Sequence, residues 1–154
     1  MYKYLFIFLL LISNASYSQK LDYLEIRRTQ YLFDCGVDSQ AIFKAFKILQ
    51  EVNTKNISKN VDYYYHDLGI IYYKMSLITR NKKYMDEAVR MDKRSLKISP
   101  DNIFAIFDCA VALVFSNHCK EGMKYLDNYL RLAPQHEVDM EAVAGLRDVC
   151  NSRK

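Results

Sequence analysis

The sequence predicts an all-α fold, an α-solenoid of about three helix-turn-helix units followed by a C-terminal capping helix. Glycine and proline are scarce, at 4 and 2 of 154 residues, although a long all-β chain needs many tight turns. Apolar residues recur at helical spacing along most of the chain. The segment SLKISPDN, from Ser95, returns as YLRLAPQH, from Tyr129, which places Pro100 and Pro134 34 residues apart. Self-similarity at such an interval is typical of solenoid repeats.

A secretory signal peptide is predicted at residues 1–18. One basic residue precedes the apolar run Leu5–Ile12, and small polar residues follow, with Ser16 and Ser18 at the positions that a signal peptidase prefers. The run of eight residues is too short to cross a bilayer as a helix. An uncleaved anchor or a core helix is the alternative. We therefore expect an exported protein, periplasmic or secreted, in which residues 19–154 form one helical repeat domain.

Seven helices are predicted after this segment. Asp38 and Asn102 offer N-caps to the second and fifth helices. Pro100 and Pro134 end the fourth and sixth, because the residue before a proline is disfavoured in the α region. No strand is predicted, and Asn53–Asn60 is interpreted as a polar loop. In order, the predicted helices lie at Lys20–Cys35, Gln40–Val52, Val61–Ile78, Tyr84–Ile98, Ile103–Phe115, Lys120–Leu132 and Glu137–Cys150.

Two features of this pattern carry a family resemblance. Ala88 and Gly122 each stand 12 residues before one of the two prolines, where a tiny residue lets two helices approach closely. The segment YHDLGIIY resembles the helix A motif W-x2-L-G-x2-Y of the tetratricopeptide repeat, with Tyr65 in place of the tryptophan, Gly69 at the central glycine and Tyr72 at the last aromatic position. The chain is similar to this family over residues 62–150 and only weakly over residues 20–61.

The resemblance implies a right-handed solenoid, and an unrelated seven-helix bundle is the alternative. Residues 103–136 form a full 34-residue unit, whereas the preceding unit is about seven residues longer. The excess, at Ser76–Tyr84, is either an extended helix A or a longer turn. In the first, weakly matching pair, polar residues fall where apolar or small ones are wanted, at Arg27, Arg28 and Thr29. The capping helix is expected to turn three residues inward, Met140, Val143 and Ala144.

The resemblance further implies a concave groove, lined by helix A residues, that holds a peptide or a helix of a partner protein. The expected groove residues are Tyr63, His66, Ile70, Tyr73, Lys74, Phe104, Phe107, Val111, Val114 and Phe115. Most of them are aromatic or aliphatic, which suits an apolar or amphipathic segment. Some members of the family grip a carboxylate with basic residues, and only Lys74 qualifies here. Coverage by the chain's own N-terminal pair, or by a second copy, is the alternative.

In the stacked array that the resemblance implies, the start of one helix lies beside the end of its antiparallel neighbour. Cys119 begins the sixth predicted helix and Cys150 ends the seventh, so a Cys119–Cys150 disulfide is predicted, which export would permit. Cys109 is expected to be a small core residue. Cys35 is left without an assigned partner.

The sequence contains no motif for catalysis, a metal or a cofactor. A Gly-rich phosphate loop, H-E-x-x-H and G-x-S-x-G are all absent. His66 and Asp67 are interpreted as polar residues on a solvated or groove face. The net charge of +4 is dispersed, which argues against nucleic-acid binding. We therefore expect a non-enzymatic module that binds another protein, for instance within an envelope complex. The alternatives are a small helical-bundle enzyme or ligand carrier, and a structural homodimer.

Overall fold

The computed structural model describes residues 21–24, 27 and 38–153, and over these residues the chain is all-α. The predicted signal peptide, most of the first predicted helix and Cys35 lie outside the described residues. Within them, six helices follow one another: α1 (Ser39–Glu51), α2 (Val61–Thr79), α3 (Lys82–Ile98), α4 (Ile103–Phe115), α5 (Cys119–Leu132) and α6 (Met140–Asn151). The sequence predicts each of them to within three residues at either end.

Local side-chain chemistry explains most of these helix boundaries. In α1, α3, α4 and α6 the N-cap side chain accepts a hydrogen bond from a first-turn backbone N–H; these caps are Asp38, Asn81, Asn102 and Asp139. Helices α3 and α5 end at Ile98 and Leu132, each two residues before a proline. The repeated segment noticed in the sequence therefore marks the same structural event twice.

The extra residues of the predicted second unit lengthen its first helix. Helix α2 has 19 residues, whereas α4 has 13, and Ser76–Thr79 continue the helix without a break. Arg80 then takes a left-handed backbone conformation, with φ of 54°, and Asn81 caps α3. Of the two alternatives that the sequence leaves open, the extended helix is the one observed.

Each helix packs against the helix that follows it, and α6 packs against both α4 and α5. Gly122 lies at the α4–α5 contact, where a Cβ atom would come within 2.8 Å of Val114 Cγ2 and 3.2 Å of the Ala110 carbonyl oxygen. Ala88 is fully buried against Met85 and Ala112. Both tiny residues therefore lie at close helix contacts, as the sequence predicts.

One short strand pair interrupts the helical pattern. Leu21–Asp22 (β1) pairs in parallel with Ile57–Lys59 (β2), inside the segment interpreted as a loop. Strands of two and three residues are too short to show an alternating pattern, so sequence reading missed them. Next to β1, Tyr23 is fully buried and its ring meets Tyr64 edge-on, with centroids 5.4 Å apart. This contact fixes the start of the described chain against α2.

The inward face of α6 differs from the predicted one. Val143 is buried as expected, but Met140 is 62% exposed and Ala144 is also exposed. The segment Gln135–Glu137 forms a separate 3₁₀ turn, and α6 begins only at Met140. Its buried residues are spaced by three and four, and they are Val143, Leu146 and Cys150.

Cys119 and Cys150 lie at disulfide distance, with Cα atoms 5.5 Å apart, and the bond joins the start of α5 to the end of α6. This is the predicted pairing. Cys109 is fully buried with a free thiol, as expected for a core residue. Among the residues described, no helix combines the length and the apolar character that crossing a bilayer requires.

Candidate functional site

A groove runs between α2 and α4 and has a volume of about 700 Å³. Five of the ten expected partner-binding residues line it: Tyr63, His66, Ile70, Phe104 and Phe107. Arg27, Ile103, Asp108, Tyr129 and Glu137 complete the lining. Because aromatic and aliphatic side chains dominate, we name this cavity the aromatic groove.

A smaller cavity of about 220 Å³ adjoins the groove and shares Ile70 and Asp108 with it. Three further expected residues line this cavity, namely Tyr73, Lys74 and Val111, and Gly69 and Asp92 complete it. Two carboxyl groups face a single small space here. We name this cavity the acidic pit.

The last two expected residues lie elsewhere. Val114 is fully buried and packs where α4 meets Gly122 of α5, so it is not accessible to a partner. The face of α4 that carries Ala110 and Val114 is the face that contacts α5. Phe115 is 44% exposed, but it lines a separate cavity beside Leu77, at the ends of α2 and α4. Neither residue lines the aromatic groove.

His66 lies between two carboxyl groups that come from different helices. Its Nδ1 is 3.4 Å from Asp92 Oδ1 on α3, and its Nε2 is 3.8 Å from Asp108 Oδ2 on α4. The side chain is only 6% exposed, so the solvated face considered for it in the sequence is wrong, although it does line the groove. Burial lowers the pKa of His66, against the opposing influence of the Asp108 and Asp67 carboxylates.

Asp67 is fully buried and is held by the segment that precedes α1. The Tyr23 hydroxyl donates to Asp67 Oδ2 at 2.8 Å, and Arg27 Nε lies 3.1 Å from the same oxygen. Burial raises the pKa of Asp67 to about 6, while Arg27 and Tyr23 act to lower it. The position of Arg27, where the repeat pattern wants an apolar residue, is thus explained by an ion pair. Arg28 and Thr29 lie outside the described residues.

Asp92 is 1% exposed, and its carboxylate lies directly over the backbone of Gly69. A Cβ atom at position 69 would clash with that carboxylate and would lie 2.8 Å from its Cγ. The glycine of the helix A motif therefore makes room here for a buried carboxyl group. Burial raises the pKa of Asp92 well above its ordinary value, and burial also raises the pKa of Asp108 to about 6.

Sequence reading assigned no role to Asp92 or Asp108. One signal was available for Asp92. The buried face of α3 carries Met85, Ala88, Asp92 and Ser95, at intervals of three, four and three residues. A charged residue that shares a helix face with a tiny residue at a helix contact predicts a buried polar group. Asp108 gives no such signal, because it adjoins the buried face of α4 without belonging to it.

The chemistry of this site is that of acceptors rather than nucleophiles. Burial raises the pKa of the Cys109 thiol to about 12, so the thiolate that a nucleophile needs is not formed at neutral pH. Within the described residues, no group of three His, Cys, Asp or Glu side chains is arranged to hold a metal ion. The arrangement favours recognition of apolar surface and of positive charge.

No family model matches the chain, and no curated protein or solved structure matches it significantly.

Proposed function

We propose that this protein is an exported, non-enzymatic helical-repeat protein of the tetratricopeptide type that binds a peptide segment or a helix of another protein in the aromatic groove. One observation carries the proposal. Residues of α2 and α4, far apart in sequence, line a single open cavity at five of the expected positions. In a repeat protein, equivalent helices of successive units supply such a surface.

The character of the groove supports an apolar or amphipathic occupant. Phe104 is 57% exposed, and Tyr63, Ile70 and Phe107 are half-buried. Each large apolar side chain that a partner covers contributes about 1.5–3 kcal/mol. A partner helix or strand that covers three of them gains enough to offset part of the free energy lost on association.

Two observations support the repeat architecture and the export. Successive helices pack as neighbours, and α3 and α5 end at equivalent points before Pro100 and Pro134. The cysteine pair at disulfide distance favours an oxidising compartment, such as a periplasm or the exterior of the cell.

The proposal is tested by photo-crosslinking from the groove. A photoreactive amino acid replaces Phe104, and the full chain is expressed in its own host and irradiated. We expect a discrete crosslinked product, identified by mass spectrometry. The matched control carries the same amino acid at Met140, which is similarly exposed, on α6, and does not line the groove. We expect no such product from it.

A charge substitution completes this test. Phe104→Glu is preferred to a substitution at Phe107, because Phe107 packs against Tyr129 with ring centroids 4.9 Å apart. We expect Phe104→Glu to weaken capture of the identified partner at least tenfold while the circular dichroism spectrum stays unchanged, and Met140→Glu to leave capture intact. Equal crosslinking from both positions, or capture unaffected by Phe104→Glu, would refute the groove as the binding surface.

The acidic pit supports a second candidate, a carrier of a small organic cation. The ligand-carrier alternative predicts a pocket with convergent polar groups, and Asp92 and Asp108 converge on the pit. Its volume of about 220 Å³ is below the roughly 300–1,000 Å³ of most small-molecule sites. The open groove beside it gives the protein-binding proposal the stronger support.

A further inference from the structure

We propose that the acidic pit binds the ammonium group of a lysine side chain carried by the partner segment that occupies the aromatic groove. This inference rests on the proposed function and specifies the chemistry of the partner. Ile70 and Asp108 belong to both cavities, so a segment lying in the groove can extend one side chain into the pit.

An incompletely satisfied carboxylate points to a cationic ligand. Asp92 is 1% exposed, and its Oδ1 lies 3.4 Å from His66 Nδ1. Its Oδ2 accepts no hydrogen bond from any residue that the structure describes, although the side chain lines the pit. Gly69, which also lines the pit, leaves the carboxylate uncovered on that side. A buried carboxylate with an open oxygen is stabilised by a donor that carries positive charge.

Counted over the residues that the structure describes, the charges around the pit leave room for one more cation. Asp67 on α2 is already paired with Arg27. His66, on the same helix, is neutral because burial lowers its pKa. Lys74 on α2 therefore stands against two carboxyl groups, Asp92 of α3 and Asp108 of α4. A cation in the pit favours the ionised form of both carboxyl groups. With both ionised, these three described residues carry a net charge of −1, and an incoming ammonium brings it to zero.

The shape of the pit favours lysine over arginine. The side chains of Ile70, Tyr73 and Val111 form apolar walls that suit a chain of methylene groups. The acceptors, Asp92 Oδ2 and the Asp108 carboxylate, come from different helices, α3 and α4. A compact ammonium with three rotatable donors can serve both acceptors. A planar guanidinium prefers both oxygens of one carboxylate, and His66 already holds one oxygen of Asp92.

The test uses n-butylammonium chloride, which reproduces the end of a lysine side chain, in a titration of the ¹⁵N-labelled protein followed by NMR at pH 7.5. We expect saturable shifts of the Gly69, Asp92 and Asp108 amides, with a Kd on the order of 1 mM, since a free amine lacks the contacts of the groove. The uncharged n-butanol should cause no such shifts. Binding should weaken at pH 5, because burial raises the pKa of Asp108 to about 6 and its carboxyl group is then largely protonated.

A pair of variants assigns the binding to the pit. Asp108→Asn should raise the Kd about tenfold, the usual effect of removing one charged hydrogen-bond partner. The matched control is Asp127→Asn on α5, whose side chain is 73% exposed and lines neither the groove nor the pit; it should leave the Kd unchanged.

Several outcomes would overturn the inference. These are the absence of saturable shifts, equal binding of n-butanol, and binding that appears only after Lys74→Met, since the protein's own lysine would then fill the pit. A micromolar Kd for the free amine would instead indicate the carrier of small cations. None of these outcomes depends on Phe104, so the crosslinking test and the titration can fail separately.

Discussion

Asp92 is the residue at which stability and binding oppose each other most directly. Folding removes its carboxyl group from water and places it over Gly69, with one oxygen near His66. Its pKa in the folded protein is raised, so the folded state holds this proton more tightly than the unfolded state does. The associated stability is present below the unfolded pKa of about 3.9, and it is lost as the pH rises from there towards the folded pKa.

From this sign we predict that Asp92→Asn stabilises the protein at pH 7. Asparagine has nearly the same shape and carries no charge to bury. In urea denaturation, the gain in the free energy of unfolding over the wild-type protein should be larger at pH 7 than at pH 4. The exposed Asp127→Asn should show no such difference. A loss of stability at pH 7 would mean that the contact with His66 outweighs the cost of burial.

The same variant should lose affinity for n-butylammonium, which would identify Asp92 as a residue kept for binding.

At the scale of the helices, local chemistry made much of the fold predictable. Caps such as Asp38 and Asn102 act within three residues, and Pro100 and Pro134 end helices through a steric effect on the preceding residue. The aromatic and aliphatic residues of the groove were predicted from the repeat spacing that these two prolines set. What the sequence could not supply depends on contacts between helices. The rotation of α6, the burial of Val114 and the meeting of His66 with two carboxyl groups are all of this kind.

Gly122 provides the prediction for this scale. Replacing an exposed helical glycine by alanine usually stabilises a helix by about 0.5–1 kcal/mol. At Gly122 the added methyl group would meet Val114 and the backbone carbonyl of Ala110, so α4 and α5 would have to separate. We expect Gly122→Ala to lower the free energy of unfolding by about 1–3 kcal/mol.

The matched control is Gly145→Ala, in α6, where a Cβ atom meets nothing within 4 Å and alanine should stabilise. Equal effects at both positions, measured by urea denaturation, would argue against close packing of α4 on α5.

At the scale of the whole molecule, the C-terminal helix is held by few elements. Helix α6 packs mainly on α4 and α5, and Arg153, just beyond it, donates to the Val114 carbonyl at 2.6 Å. A helix with few packing contacts opens at a lower free energy than the rest of the fold. The Cys119–Cys150 disulfide closes a segment of 31 residues across this end. It therefore links α6 covalently to the preceding helix.

We predict that the double variant Cys119→Ser/Cys150→Ser loses about 2–4 kcal/mol of unfolding free energy, the usual effect of a disulfide that closes a loop of this length. Hydrogen exchange should locate the first loss of protection in α6, with α2 and α3 least affected. Alkylation and peptide mass spectrometry without reductant should recover residues 119 and 150 as one linked pair in the protein isolated from its own host. Cys109→Ala is the control, since this buried thiol has no disulfide partner and its removal should leave the exchange of α6 unchanged. If both cysteines are alkylated without reductant, the bond does not form in the host, and α6 is held by packing alone.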